Sequence, residues 1–234
     1  MTGNNRNTIL DSCSIGTNKL ECIDLLTKEE QSFLESKTVD VYYKKGEIIC
    51  KQGAFASHVM ILREGLAKTY IEGATDNLIL QLFPPVNIIG LSSLIEGHTT
   101  YQYSSQVYMD SKISLVEIVV LNQLIKSNPA FAAKIINTLA EQTIISNGRF
   151  YCLTMKQNYG RLADVILCLA NRIYKTQKFP LQLTRKEFAE LCGMSIESIS
   201  RIITKFKSDG LITITNDYIE IVDNEKLNQV SLKG

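Results

Sequence analysis

No stretch of this sequence approaches the roughly 20 apolar residues that a membrane-spanning helix needs, and no apolar run near its start resembles a secretory signal. No two cysteines form Cys-x-x-Cys, so the spacing of a zinc site or a thioredoxin-like pair is missing. The six cysteines lie scattered at 13, 22, 50, 152, 168 and 192. Such thiols, in a chain without a secretory signal, are expected to be reduced in a cytoplasmic protein. There is no glycine-rich phosphate loop and no His-x-x-His-type metal pair, which argues against an enzyme. Internal repeats and low-complexity segments are absent. Net charge is nearly absent as well, +1 over 234 residues, so the total does not point to a polyanionic partner.

The distribution of charge does. Residues 172–207 carry eight Lys/Arg against three Glu, whereas residues 1–155 carry 13 basic and 15 acidic side chains. The basic stretch coincides with a local pattern. Thr184 followed by Glu187 is a capping box that starts a helix. Phe188 and Leu191 give that helix an apolar face. Gly193 suits a tight turn, and Ser195 suits the N-cap of a second helix. In that second helix Ile199, Ile202, Ile203 and Phe206 form one buried stripe, leaving Glu197, Ser200, Arg201, Thr204 and Lys205 outward. Two short helices joined in this way make a helix-turn-helix, whose second helix enters the DNA major groove.

The remaining chain reads as what positions and controls that helix. Residues 1–18 have no periodicity and are expected to be a loose terminus. Residues 20–35, with the Thr27–Glu30 capping pattern, predict one or two short helices. From 38 to about 120, short β-rich runs alternate with glycines, predicting an antiparallel sandwich or barrel-like domain. Asn128-Pro129 opens a helical run to about Thr154. A helix this long often pairs with a copy of itself, and a 3–4 spacing gives the seam Ile135, Leu139, Gln142, Ser146, Arg149 and Leu153. The pattern lapses at 156–158, where a hinge is expected. A helix over 159–174, a connecting loop over 175–183, the helix-turn-helix and a hairpin around Asn216-Asp217 follow, a winged helix-turn-helix. The expected domains are therefore 1–128 (sensor), 129–155 (dimerisation helix) and 156–234 (DNA binding).

In this order and spacing the parts resemble the Crp/Fnr family of bacterial transcription regulators. The motifs that carry the resemblance are Lys45 to Gly53, the Glu64-Gly65 turn, Asn128-Pro129, Gly160-Arg161, Leu183 to Gly193 and Ser195 to Arg201. The resemblance implies an α+β fold with a cyclic-nucleotide-binding-like antiparallel β-roll, a long dimerisation helix and a C-terminal winged helix-turn-helix. It also implies a cytoplasmic homodimer that binds double-stranded DNA, responds to an effector or redox signal in its β-roll and contacts RNA polymerase, with no membrane partner.

Three departures refine this expectation. Cyclic-AMP-binding members grip ribose and phosphate with a Gly-Glu and an Arg-Ser. Here Leu91 follows Gly90, and no arginine lies between residues 64 and 148, so a buried cyclic phosphate would lack its cation. Iron–sulfur members use three close N-terminal cysteines and a fourth near the end of the roll. This chain offers Cys13 and Cys22, with Val116 at the fourth place, so a four-thiolate cluster lacks its ligands. Haem, the family's third sensing mode, has candidate ligands in His58, His98, Met60, Met109 and the cysteines. The expected effector pocket is the apolar region of Leu82, Ile89, Leu91 and Leu94, joined by Ser146 and Asn147 of the long helix.

The third departure is in the recognition helix, where Ile196-Glu197-x-x-Ser200-Arg201 is similar to the Fnr branch. Arg201 suits guanine O6 and N7, Glu197 suits cytosine N4, and Ser200 suits a base edge or thymine methyl. The implied site is a palindrome with an Fnr-like TTGA-type core. Thr184, Arg185, Lys186, Lys205 and Lys207 are expected on phosphates. A competing reading makes the chain a haem- or small-molecule-binding sensor whose main output is a protein–protein contact. A steep fall of DNA affinity with salt separates the two.

Overall fold

The computed structural model describes residues 23–95, 97 and 99–234. The expected loose terminus, Cys13, Cys22 and the haem-ligand candidate His98 therefore lie outside the described residues. Helix α1 (Lys28–Ser36) starts where Thr27 and Glu30 satisfy each other's backbone N–H groups, the expected capping box. Eight strands follow: β1 (Thr38–Tyr43), β2 (Ile48–Cys50), β3 (His58–Glu64), β4 (Ala67–Ile71), β5 (Leu78–Phe83), β6 (Asn87–Ile89), β7 (Ser104–Val107) and β8 (Ser111–Glu117). They form two antiparallel four-stranded sheets, ordered β1-β8-β3-β6 and β2-β7-β4-β5.

Alternation along β3 sorts its side chains into two cores. Met60 and Leu62 join Ala67, Phe83 and Val107 in the interior of the roll. Val59 and Ile61 turn the other way, towards Leu34 of α1, Leu121 and Leu124 of α2 (Ile118–Ser127) and Phe131 of α3 (Pro129–Met155). Each such side chain, fully buried, contributes about 1.5–3 kcal/mol. Asn128 ties the helical layer together: its carboxamide oxygen accepts from the Phe131 N–H at 3.0 Å, and its Nδ2 donates to Glu30 at 2.8 Å.

The chain divides into two compact units at Gln142/Thr143, inside α3 and thirteen residues before the hinge expected after Met155. The reason lies in the last turns of α3, where Arg149, Cys152 and Lys156 just beyond it bond to Leu191, Asp164 and Ser231 of the second unit. That unit continues with α4 (Asn158–Cys168), a π-helical turn (Leu169–Tyr174), β9 (Lys178–Pro180), α5 (Arg185–Cys192), α6 (Ile196–Ser208), β10 (Ile212–Ile214), β11 (Tyr218–Ile221) and α7 (Asn224–Lys233). The wing is a three-stranded sheet, β10-β11-β9, rather than a hairpin alone. The segment expected as a plain loop supplies β9, whose Phe179 stacks on Tyr174 with ring centroids 5.1 Å apart. Helix α7, which the sequence pattern did not reveal, is capped by Asp223. It packs so closely on α4 that a Cβ on Gly160 would lie 2.8 Å from the backbone of Gly234.

A buried ion pair fastens this unit. Lys156 Nζ donates to Asp164 at 2.7 Å and to the Ser231 carbonyl at 2.8 Å. The Ser231 hydroxyl donates to the other Asp164 oxygen, and the Cys152 thiol lies 3.5 Å from the carboxylate. Removing one partner strands the other charge in a low dielectric. Asp164→Ala is expected to lower stability by about 3–5 kcal/mol in chemical denaturation, and a change below about 1 kcal/mol would refute this account of the pair.

Candidate nucleic-acid interface and sensory pocket

Local chemistry builds the helix-turn-helix. Thr184 and Glu187 form the reciprocal cap of α5. Gly193 adopts φ 59°, the left-handed conformation that ends a helix without a Cβ clash. Ser195 accepts the Ser198 N–H and opens α6. Ile199, Ile202, Ile203 and Phe206 are all buried, and the Phe206 ring meets Tyr159 of α4 at 6.1 Å. The opposite face of α6 presents Glu197, Ser200, Arg201, Lys205 and Lys207 to solvent, with Thr184, Arg185 and Lys186 exposed at the start of α5.

The charged groups on this face are not equivalent. Glu197 is held below the usual carboxylate range by its own backbone N–H and the Ser195 hydroxyl. No ion pair joins it to Arg201 among the described residues. Lys205 is bound to Asp209 at 2.8 Å, and this partner raises its pKa. Lys186 lies 3.9 Å from Glu190, a carboxylate buried at the end of α5.

Part of the expected seam along α3 is turned inward. Ile135 is buried in the helical core, with Leu139 packed against it. Arg149 is only 5% exposed, and one of its Nη groups donates to the Leu191 carbonyl. Gln142 and Leu153 are half-buried, and Ser146 is exposed. The residues of α3 that do offer apolar surface are Ile136, Ile144, Phe150, Tyr151 and Met155. At Ile135 and Leu139 the 3–4 pattern marked positions that pack on the chain's own core, which carry the same apolar signature as a pairing seam.

Within the roll, the apolar residues of the expected effector pocket do not share one core. Ile89 belongs to the roll interior, whereas Leu91 and Leu94 belong to the helical core. Gly90, at φ 99°, is the turn that separates them. Leu82 points to the face of β5 opposite Phe83, as alternation requires. Ser146 and Asn147 are exposed and fall in the other compact unit. An open cavity of about 400 Å³ lies elsewhere on the roll, lined by residues that include Tyr43, Cys50, Phe55, His58, Met60 and Tyr101. It brings together three of the candidate haem ligands, His58, Met60 and Cys50, but not Met109. The His58 ring bonds the Ser57 hydroxyl at 2.7 Å through Nδ1, and the Met60 sulfur lies 3.7 Å from the Tyr101 hydroxyl oxygen.

The fold and its exposed recognition face define a winged helix-turn-helix DNA-binding regulator with an N-terminal β-roll domain. Residues 160–230 match the Crp-like helix-turn-helix domain, and residues 40–128 match the cyclic nucleotide-binding domain. The chain belongs to the Crp/Fnr family of transcription regulators, and it is a regulator rather than an enzyme. It is 27% identical to electron transport regulator A of Shewanella oneidensis, over 79% of this chain and 75% of that protein. It is 25% identical to the transcriptional activator protein anr of Pseudomonas aeruginosa, over 79% of this chain and 77% of that protein. The fold matches FixK2 from Bradyrhizobium japonicum with a TM-score of 0.75, at 17% identity and covering 84% of this chain and 98% of that one.

A cyclic nucleotide does not fit this roll. Leu91 is buried in the helical core. Tyr101 is buried with its hydroxyl donating to the His58 carbonyl at 2.7 Å, and the Tyr103 hydroxyl accepts from the Gly90 N–H at 2.9 Å. The buried lysine of the roll, Lys68, sits 4.8 Å from the Tyr108 ring centroid. Among the described residues of the roll the guanidinium is that of Arg63, whose Nε already donates to the Ser114 hydroxyl at 2.8 Å. Burial also pushes the Cys50 thiol up to about 12, so it stays protonated and unreactive. Alkylation of the native protein by iodoacetamide at pH 8 is expected to spare Cys50. Rapid modification there, mapped by peptide mass spectrometry, would contradict this assignment.

Proposed function

We propose that two copies pair along α3 and set their α6 helices into successive major grooves of a palindrome with an Fnr-like TTGA-type core, its half-sites about 34 Å apart. The observation that carries this reading is the outward face of α6, where Glu197, Ser200 and Arg201 are exposed above a fully buried stripe. Arg201 has no ion-pair partner among the described residues, so its guanidinium is free to read guanine in two places. Glu197, ionised at the start of the helix, accepts from cytosine N4, and Ser200 meets a neighbouring base edge or thymine methyl. Thr184, Arg185, Lys186, Lys205 and Lys207 hold phosphates, which fix register without reading sequence. The apolar groups left exposed along α3, Ile136 and Phe150 among them, support pairing with a second copy.

The signal enters through the cavity beside His58 and Met60, whose size is that of a small-molecule site. It reaches the DNA-binding unit through α3, and the DNA-bound dimer contacts RNA polymerase. The visible spectrum with and without added haemin tests whether the cavity takes haem, with a Soret shift in the wild type and its loss in His58→Ala. An unshifted spectrum would leave a colourless effector.

Arg201→Ala is expected to lower affinity for a TTGA palindrome by about 1–3 kcal/mol per half-site, measured by fluorescence anisotropy. Undiminished affinity would remove Arg201 from the base-reading role. Log affinity should also fall with log salt by roughly 0.9 per phosphate neutralised. Binding that ignores salt would favour the protein-contact reading instead.

A further inference from the structure

The last carbonyls of a helix have no partners within it and carry the negative end of its dipole. At the end of α5 two arginines from outside the helix-turn-helix serve them. Arg149 of α3, almost fully buried, donates to the Leu191 carbonyl. Arg161 of α4 points Nη1 at the Cys192 and Gly193 carbonyls, at 3.5 and 3.4 Å. Its Nε donates to the Lys156 carbonyl at 2.8 Å, one residue beyond the end of α3. Three consecutive carbonyls are therefore held by guanidinium groups, two residues before Ser195 caps α6. Of the two arginines, Arg149 alone belongs to the long helix.

Its neighbour in sequence is equally informative. Phe150 is 70% exposed, although it stands only one residue, about 100° of helix rotation, from the buried Arg149. One rigid turn of α3 thus presents a large apolar ring to solvent and grips the helix-turn-helix from inside.

We propose that Arg149 is a positioning residue through which α3 sets the orientation of α6. This rests on the reading above, that α3 pairs two copies and α6 reads DNA. When Phe150 repacks against the partner copy, α3 turns about its axis and carries the Arg149 guanidinium with it. The Leu191 carbonyl follows, because a buried charge cannot leave its acceptor without a large penalty. Gly193, already left-handed, is the pivot that converts this movement into a tilt of the recognition helix. Arg149 acts on the backbone of the turn and touches no base.

The test uses the full chain and two duplexes, one with a TTGA palindrome and one scrambled. Arg149→Met keeps the length and apolar stem but has no donor. It should lose about tenfold or more of its affinity for the palindrome, while affinity for the scrambled duplex, which depends on surface cations, changes by less than about threefold. Sedimentation should show the same association state as the wild type. Arg149→Lys restores one charged donor and should recover part of the discrimination. A folded Met variant that discriminates like the wild type overturns the proposal. If circular dichroism shows the Met variant unfolded, the Lys variant decides: partial discrimination supports the proposal, and full discrimination overturns it. A wild type that fails to discriminate would sink the DNA-reading assignment itself, and with it the role of Arg149.

Discussion

Asp164 is a carboxylate with 1% of its side chain exposed, and the second compact unit depends on its being satisfied. A lone ionised carboxylate at that depth would be prohibitively costly. Its partners come from two stretches far apart in sequence: Cys152 and Lys156 at the end of α3, and Ser231 of α7. The three must arrive together, so the end of the long helix, the first helix of the DNA-binding domain and the last helix of the chain are bound into one body. A hinge at 156 is incompatible with that network. The stretch from Thr143 onward belongs to the same compact unit as the winged domain.

The helix-turn-helix was legible in the sequence because everything that forms it is local. Two caps, one left-handed glycine and a four-residue buried stripe lie within 24 positions, and each acts on its near neighbours. The roll's strands were legible for a similar reason, since turns and alternation leave a short-range trace. What escaped has its cause at a distance. Strand β9 forms because β11 offers an edge to Phe179, and no β-rich run announces it. Helix α7 has weak periodicity and is held by Asp164 and by close approach to Gly160. Arg149 looked like a polar interruption of a seam. Only the carbonyl of Leu191, 42 residues away, explains why an arginine is buried there.

The expected seam and the expected pocket share one physical origin. Apolar spacing reports that a face is buried, and it is silent about what buries it. Ile135 and Leu139 satisfied the spacing of a pairing helix because they line the chain's own helical core. Likewise Leu82, Ile89, Leu91 and Leu94 are apolar because they fill three different environments. The cavity that is present is marked instead by residues of mixed character, Tyr43, His58 and Met60, which periodicity cannot gather.

The ion pair between Lys205 and Asp209 gives the end of α6 an occupied seat. If that helix lies in the groove as proposed, a phosphate reaching Lys205 must displace an anion the protein already supplies. Asp209 is then an internal mimic of the nucleic-acid backbone. It discounts loose encounters, in which only the rim of the helix meets a duplex, relative to deep ones that can replace it fully. A negative charge beside a binding lysine thereby acts as a threshold on approach.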